Sequence, residues 1–189
     1  MGHDVGVEIR KALKEIQKMI GAVDPNLVAK LANLIMEADV IVLFGNGGSY
    51  ANATHFACDL NLRTKVADRV VCIGDNTSLH TAYVNDTSYE EAVAEEMTRY
   101  LAPYNSGAAM VVILFSTSGE SKNIVRAAKV AKELGAQVVA MFGEHLNRIE
   151  PYADLVISIK GRKSSRIEAA HDAICHAVAD AVHTKEKAE

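Results

Sequence analysis

The sequence has no tryptophan, only 5% aromatic residues and no excess of basic over acidic side chains. It contains 20 Lys and Arg residues and 24 Asp and Glu residues, which gives a formal net charge of −4. Few aromatic rings leave little surface for stacking nucleobases. The charge balance offers no basic patch for a phosphate backbone or an acidic membrane. We therefore expect neither nucleic acid nor a membrane among its partners.

Cysteine and long apolar runs are also scarce. Cys58, Cys72 and Cys175 are far apart and form no C-x-x-C pair. This pattern predicts no disulfide framework and indicates a reducing compartment. No apolar run approaches the roughly 20 residues of a membrane span. The N-terminal residues, MGHDVGVEIRKALKE, lack the hydrophobic region of a signal peptide, so we expect a cytoplasmic protein.

Apolar runs and helical patterns alternate along most of the chain. A length of 189 residues favours a single domain over 1–189. The continuous apolar runs predict strands that are buried on both faces, and the helices between them predict a parallel sheet covered on both sides. The predicted strands are Val40–Phe44, Arg69–Ile73, Met110–Phe115, Gln137–Phe142 and Asp154–Ile159.

Two predicted helices precede the first strand, within residues 1–38, and are therefore not crossovers of the α/β core at 39–189. The first carries an apolar stripe at helical spacing. This stripe must be buried either on the sheet or in another subunit, and a subunit contact is a natural role for such a hairpin. The stripe consists of Val5, Ile9, Leu13, Ile16 and Ile20.

Two loops follow predicted strands and share a chemistry suited to anions. The first is Gly45-Asn46-Gly47-Gly48-Ser49, and the second runs from Ser116 to Ser121 with the sequence STSGES. Ligands of open parallel sheets bind beyond the C-terminal ends of the strands. Backbone N–H groups, hydroxyls and helix starts there favour phosphate. The alternative is that both loops are ordinary turns and helix caps.

Several nucleotide-binding features are missing from these loops. There is no G-K-[ST], so the first loop is not a P-loop. Tyr50 stands where a G-x-G-x-x-G motif needs its third glycine, and Asp75 lies 30 residues beyond Gly45 rather than about 20. Neither loop contains lysine. Hydroxyls and amides alone suit a single phosphate monoester better than a triphosphate with magnesium.

Two helices carry histidine and carboxylate on one face. His55 and Asp59 are four residues apart on the third helix. On the last helix, Glu168, Asp172 and His176 share a flank, because eight residues turn a helix only about 80° beyond two full turns. These groups could bind Zn²⁺ or form an acid–base pair. They could equally be solvated helix faces, and spacing alone does not bring the two helices together.

These motifs resemble the sugar isomerase (SIS) domain family, and within it the bacterial phosphoheptose isomerases. The resemblance runs from the N-terminal helices to the last helix. The segments that show the resemblance are GNGGS at 45–49, HFACD at 55–59 with Arg63, VND at 84–86, STSGES at 116–121 and RIEAAHDAICH at 166–176.

The resemblance implies a flavodoxin-like three-layer sandwich with five parallel strands, in a homotetramer with the site between subunits. It implies zinc and catalytic positions at His55, Asp59, Glu168 and His176, of which Asp59, Glu168 and His176 are catalytic. The implied substrate-binding residues are Asn46, Gly47, Gly48, Ser49, Arg63, Asp86, Ser116, Thr117, Ser118 and Ser121.

Two positions depart from the family pattern. Asp59 stands where these enzymes usually have glutamate, and Glu168 stands where they usually have glutamine. Either carboxylate could therefore be the catalytic base. The implied activity is aldose–ketose isomerisation of sedoheptulose 7-phosphate to D-glycero-D-manno-heptose 7-phosphate through an enediol. The alternatives are an isomerase of another sugar phosphate, or a non-catalytic SIS protein that binds sugar phosphates as a regulator or binds a replication initiator.

Overall fold

A computed structural model describes residues 4–104, 107–144 and 148–188. Its centre is a five-stranded parallel sheet in the order β2-β1-β3-β4-β5, which is the flavodoxin-like order. The strands are β1 Val40–Gly45, β2 Val70–Cys72, β3 Met110–Ser116, β4 Gln137–Gly143 and β5 Leu155–Ile159.

Helices cover both faces of the sheet. Every residue of β1 and β3 is buried, as the continuous apolar runs predicted. One hydrophobic cluster joins the sheet to α2, α3 and α7, and a second joins its other face to α5 and α6. The predicted three-layer sandwich is confirmed. The helices are α1 Val5–Gly21, α2 Pro25–Glu37, α3 Gly48–Arg63, α4 Thr77–Asp86, α5 Ala92–Leu101, α6 Lys122–Glu133 and α7 Ser164–Ala188.

The strands that follow β1 are added on opposite sides of it. From β1 it adds β2 on one side, and β3 then pairs on the other side of β1. Because the strands are parallel, the loops that follow β1 and β3 emerge side by side at the same edge. This is the topological switch point where ligands bind in such sheets.

The first helix leaves most of its apolar stripe in solvent. Helices α1 and α2 both pack on α7, yet Val5, Ile9 and Leu13 remain 70%, 54% and 61% exposed. The sheet therefore does not bury the stripe. In the part of the chain that the structure describes, no single helix is long and apolar enough to cross a membrane, and α1 with α2 would meet that measure only as a pair bent by 70°.

The last helix is longer than its sequence pattern indicates. Its apolar stripe predicts an end near His183, with a frayed charged tail, but α7 continues to Ala188. The extra turn is tied to the end of α3, because the Lys65 backbone N–H donates to Glu186 Oε2 at 2.8 Å. The Lys65 ammonium also donates to the Glu186 carbonyl at 2.7 Å.

His171 lies on the core face of α7, as expected for a structural histidine. It is fully buried and meets the ring of Phe115 edge-on, with a centroid distance of 5.9 Å. Burial lowers the pKa of His171 to about 4, because a charged imidazolium would lose its hydration. The folded protein therefore holds this ring neutral.

This burial predicts a loss of stability in acid. The pKa of His171 is lower in the folded than in the unfolded state, so the unfolded state takes up the proton first. Stability is unaffected above pH 6.5 and falls between pH 6.5 and 4, by about 3 kcal/mol in total. Urea titrations at pH 7, 5.5 and 4 should show this loss in wild type but not in His171→Leu. Parallel pH dependence of the two proteins would contradict the assignment.

Candidate active site

The loop after β1 is shaped by glycine. Gly47 has φ +57°, a left-handed conformation that glycine adopts without strain. This turn lets α3 begin at Gly48 and buries Ser49 in its first turn. The N-terminus of α3 thus faces the ligand edge of the sheet, where the helix dipole favours an anion.

The loop after β3 is held by its own serines. The Gly119 N–H donates to Ser116 Oγ at 3.0 Å, and the Glu120 N–H donates to Ser118 Oγ at 3.2 Å. Thr117 Oγ1 donates to Ser164 Oγ at the start of α7, at 3.1 Å. These bonds fix the loop and connect it to the last helix.

The two loops enclose one small polar pocket of about 90 Å³. That volume is several times the roughly 30 Å³ that a water molecule occupies in the liquid, so the pocket has room for a phosphate group. It contains six of the ten sequence-predicted substrate-binding side chains. Its lining consists of Asn46, Ser49, Phe115, Ser116, Thr117, Ser118, Ser121 and Glu168.

Glu168 enters this pocket from α7. A Cβ atom at position 48 would lie only 2.4 Å from the Glu168 carboxyl carbon, so the glycine gives the carboxylate room against the backbone of α3. A negative charge therefore borders the loops that are suited to an anion. The spacing of Glu168 on α7 gave no sign of this placement.

Asn46 is fixed by two partners that the sequence did not indicate. Asn46 and Asn123 exchange two amide hydrogen bonds of 2.9 Å, and the Tyr89 hydroxyl donates to Asn46 Oδ1 at 2.7 Å. Asn123 stands in the first turn of α6 and is buried. Neither partner lies in a recognisable motif, so only the fold could have found them.

A second, larger cavity of about 360 Å³ lies on the other side of Asn46. The Tyr50 hydroxyl donates to Asp75 Oδ1 at 3.3 Å beside this cavity, and burial raises the pKa of both groups. His80, which lines it, shares a hydrogen bond of 2.8 Å with the buried carboxylate of Glu96. The first loop thus borders two cavities, and Asn46 lines both of them.

The two helices that carry the candidate acid–base residues meet along their length. Helix α3 packs closely on α7 within this one chain. His176 Nδ1 lies 2.8 Å from Asp59 Oδ2, and His55 Nδ1 lies 3.4 Å from Asp172 Oδ1. The two histidine rings meet edge-on with centroids 4.8 Å apart. Three of the four predicted zinc positions are therefore gathered in one cluster.

The cluster has the donors that a metal ion requires. One nitrogen or oxygen atom from each of His55, Asp172 and His176 lies within 4.8 Å of the others. Zinc bonds of about 2.0–2.2 Å in a tetrahedron hold neighbouring donors roughly 3.4 Å apart. His176 Nε2 to Asp172 Oδ2 measures 3.6 Å, close to that spacing. Glu168 is not a member of this group.

Arg63 and Asp86 lie outside both groups. Arg63 forms an ion pair with Asp180 and lies 4.0 Å from Asp59, at the far end of α3 from the glycine loop. Asp86 ends α4, is exposed, and accepts a hydrogen bond from Asn85 Nδ2 at 3.0 Å. In this chain alone, neither residue lines the pocket between the two loops.

The pocket and the histidine cluster lie along the same pair of helices. Glu168 touches Gly48 at the start of α3, and His55 follows seven residues later. Seven residues advance a helix by about 10 Å, so the cluster stands roughly that far from the loops. An open sugar chain of six or seven carbons spans such a distance.

Comparison with known proteins supplies a context for this geometry. A family model of the SIS domain matches residues 8–143. The phosphoheptose isomerase of Mycobacterium tuberculosis is 35% identical over 146 residues, 75% of this chain and 71% of the relative. That of Helicobacter pylori is 29% identical over 177 residues, 92% of this chain and 88% of the relative. A solved structure of phosphoheptose isomerase from Neisseria gonorrhoeae superimposes with a TM-score of 0.81 at 26% identity, covering 95% of this chain and 97% of that one.

Proposed function

The chain belongs to the SIS domain family and, within it, to the phosphoheptose isomerases, and on this premise we propose that it interconverts sedoheptulose 7-phosphate and D-glycero-D-manno-heptose 7-phosphate. The observation that carries the proposal is the placement of a phosphate-sized pocket and a histidine–carboxylate cluster along one helix pair, about 10 Å apart. A heptose 7-phosphate carries its phosphate at one end and its reacting carbons, C1 and C2, at the other.

We assign phosphate binding to the two loops. The hydroxyls of Ser49 and Ser121 offer hydrogen-bond donors in the pocket, and the dipoles at the N-termini of α3 and α6 favour an anion there. Binding at this end positions C1 and C2 without touching them. Among the residues that the structure describes, no lysine or arginine lines this pocket, which favours a single phosphate ester over a polyphosphate.

We assign the catalytic base to Asp59 rather than Glu168. Glu168 lines the phosphate pocket, where it would face the C7 end of the sugar. Asp59 lies in the cluster with His176, away from the phosphate pocket and at the end where C1 and C2 would lie. One oxygen of Asp59 accepts from His176 Nδ1, which leaves the other oxygen for a proton of the substrate.

The proposed reaction moves one carbon-bound proton. Starting from the ketose, Asp59 removes a proton from C1 while the C2 oxygen gains one, which gives the enediol. Asp59 then returns its proton to C2 while the C1 hydroxyl loses its own, which gives the aldose. His176, oriented through Nδ1 by Asp59, presents Nε2 to the oxygens and exchanges their protons.

The same cluster fits a zinc ion. His55 and His176 with neighbouring carboxylates would hold it, and a bound zinc would polarise the sugar carbonyl and stabilise the enediolate in place of the His176 proton. Those two roles of His176 exclude each other at Nε2. Activity before and after chelation therefore distinguishes them.

An isomerisation assay on sugar phosphates of five to seven carbons, with and without added zinc, tests the function. We expect turnover of the heptose 7-phosphates. Turnover of a shorter sugar only would assign another substrate. Binding of sugar phosphates without turnover across the whole panel would favour the second class, a non-catalytic SIS regulator. We favour an enzyme because the acid–base cluster is assembled, which a regulator does not need.

We further propose that residues 1–189 act as one cytoplasmic domain whose N-terminal helices, within 1–38, assemble a homotetramer. The exposed apolar side chains of α1 support this, because a second copy of the same face would bury them. The family resemblance described above also implies a homotetramer.

Charges on this stripe should dissociate the protein. We expect Ile9→Glu/Leu13→Glu to lower the molar mass measured by light scattering, because two carboxylates would be buried in the contact. Lys14→Glu, on an exposed position of the same helix, should leave the mass unchanged. A monomeric wild type, or a tetrameric double variant, would refute this use of α1.

A further inference from the structure

We propose that Asp172 is the carboxylate ligand of a divalent metal bound in this chain by His55 and His176, in the place that family likeness gave to Glu168. The inference rests on the proposed function for the identity of the site. It concerns a residue that the family motif does not assign.

The carboxylate of Asp172 lies between the two histidines. One of its oxygens lies 3.4 Å from His55 Nδ1 on α3, and the other lies 3.6 Å from His176 Nε2 on its own helix. Each oxygen thus lies about one zinc donor spacing, roughly 3.4 Å, from a different histidine nitrogen, and one donor atom from each of the three residues lies within 4.8 Å of the others. Asp172 is also about 39% exposed in its side chain, so an ion can reach it from solvent.

Glu168 is placed differently along α7. It precedes His176 by eight residues, or about 12 Å of helix, whereas Asp172 precedes it by four residues, or about 6 Å. The carboxylate of Glu168 is further held against Gly48, in the pocket between the loops. Asp172 is therefore one helical turn from His176 and lies beside its imidazole, whereas Glu168 is two turns away and lies in the pocket between the loops.

Asp59 supports the site by fixing the orientation of His176. Its hydrogen bond of 2.8 Å to Nδ1 fixes the ring so that Nε2 faces Asp172. A carboxylate that orients a histidine in this way is the usual support of a metal ligand. Three protein ligands would leave a fourth position open, as in catalytic rather than structural zinc sites.

Calorimetric titration of zinc into metal-free protein tests the assignment. We expect Asp172→Asn to weaken zinc binding about 100-fold or more, above the loss typical of groups that only support a ligand. Asp172→Glu should retain part of the affinity, because it keeps the carboxylate. Glu168→Gln, which restores the usual family residue, should bind zinc as wild type does. Thermal melting of each metal-free variant checks that the fold is kept.

Three outcomes would overturn the inference. They are wild type that binds no zinc, Asp172→Asn with unchanged affinity, and Glu168→Gln that weakens as much as Asp172→Asn. None of them affects the proposed activity, which is measured separately as turnover of the sugar phosphate panel by wild type. An active isomerase that binds no zinc would retain the function and lose Asp172 as a ligand.

Discussion

His176→Ala should lower kcat by about 1,000-fold or more while leaving the fold intact. Loss of a positioned acid–base group typically costs 10² to about 10⁴ in rate, and loss of a metal ligand has at least that effect. The side chain of His176 is 41% exposed, so its removal leaves no large cavity. Turnover of heptose 7-phosphate and a thermal melt measure the two parts of the prediction.

His183→Ala is the matched control for this variant. His183 stands seven residues further along α7, outside the cluster of His55, Asp172 and His176. It should retain wild-type turnover. A His176→Ala protein with near wild-type rate would remove this residue from the mechanism. Chelation of wild type then separates its two roles. Turnover without metal would assign proton transfer to His176, and loss of turnover would make His176 a ligand of the metal that polarises the carbonyl.

The central strands of the sheet were predictable because both of their faces are buried. Val40–Phe44 and Met110–Phe115 are covered on both faces, and such strands appear as unbroken apolar runs that no amphipathic helix shares. Strand order was not predictable from these runs, and the family resemblance supplied it. The length of α7 was underestimated because Lys65 and Glu186, polar residues distant in sequence, hold its last turn.

The phosphate loops were predictable for a different reason. Glycine and hydroxyl residues at the ends of two buried strands have a local meaning, and parallel strands carry them to the same edge. The second site lacked such a link. The four-residue spacing predicted that His55 and Asp59 share a face of α3 and that Asp172 and His176 share a flank of α7. Only the packing of α3 on α7 brings the two pairs together. Glu168 and His176 lie on one flank of α7 but contact different parts of α3. Glu168 lies against Gly48, and His176 lies beside Asp59.

Asp59→Asn should lower kcat by about 1,000-fold, the second large effect. The asparagine carbonyl can still accept the hydrogen bond from His176 Nδ1, so the orientation of the imidazole is kept. The variant therefore removes the basicity of residue 59 and little else. Initial rates at saturating heptose 7-phosphate measure the loss, and a zinc titration confirms that the histidines remain competent.

Glu168→Gln is the control that decides between the two carboxylates. If Asp59 is the base, Glu168→Gln should retain kcat within about twofold and lower KM, because it removes a negative charge from the pocket that receives the phosphate. The opposite pattern, with kcat lost in Glu168→Gln and kept in Asp59→Asn, would make Glu168 the base. The sugar would then have to lie with C1 and C2 beside Gly48, and the two loops would bind some part of it other than the phosphate of a heptose 7-phosphate. The pair of variants thus tests the direction of the substrate along α3 as well as the identity of the base.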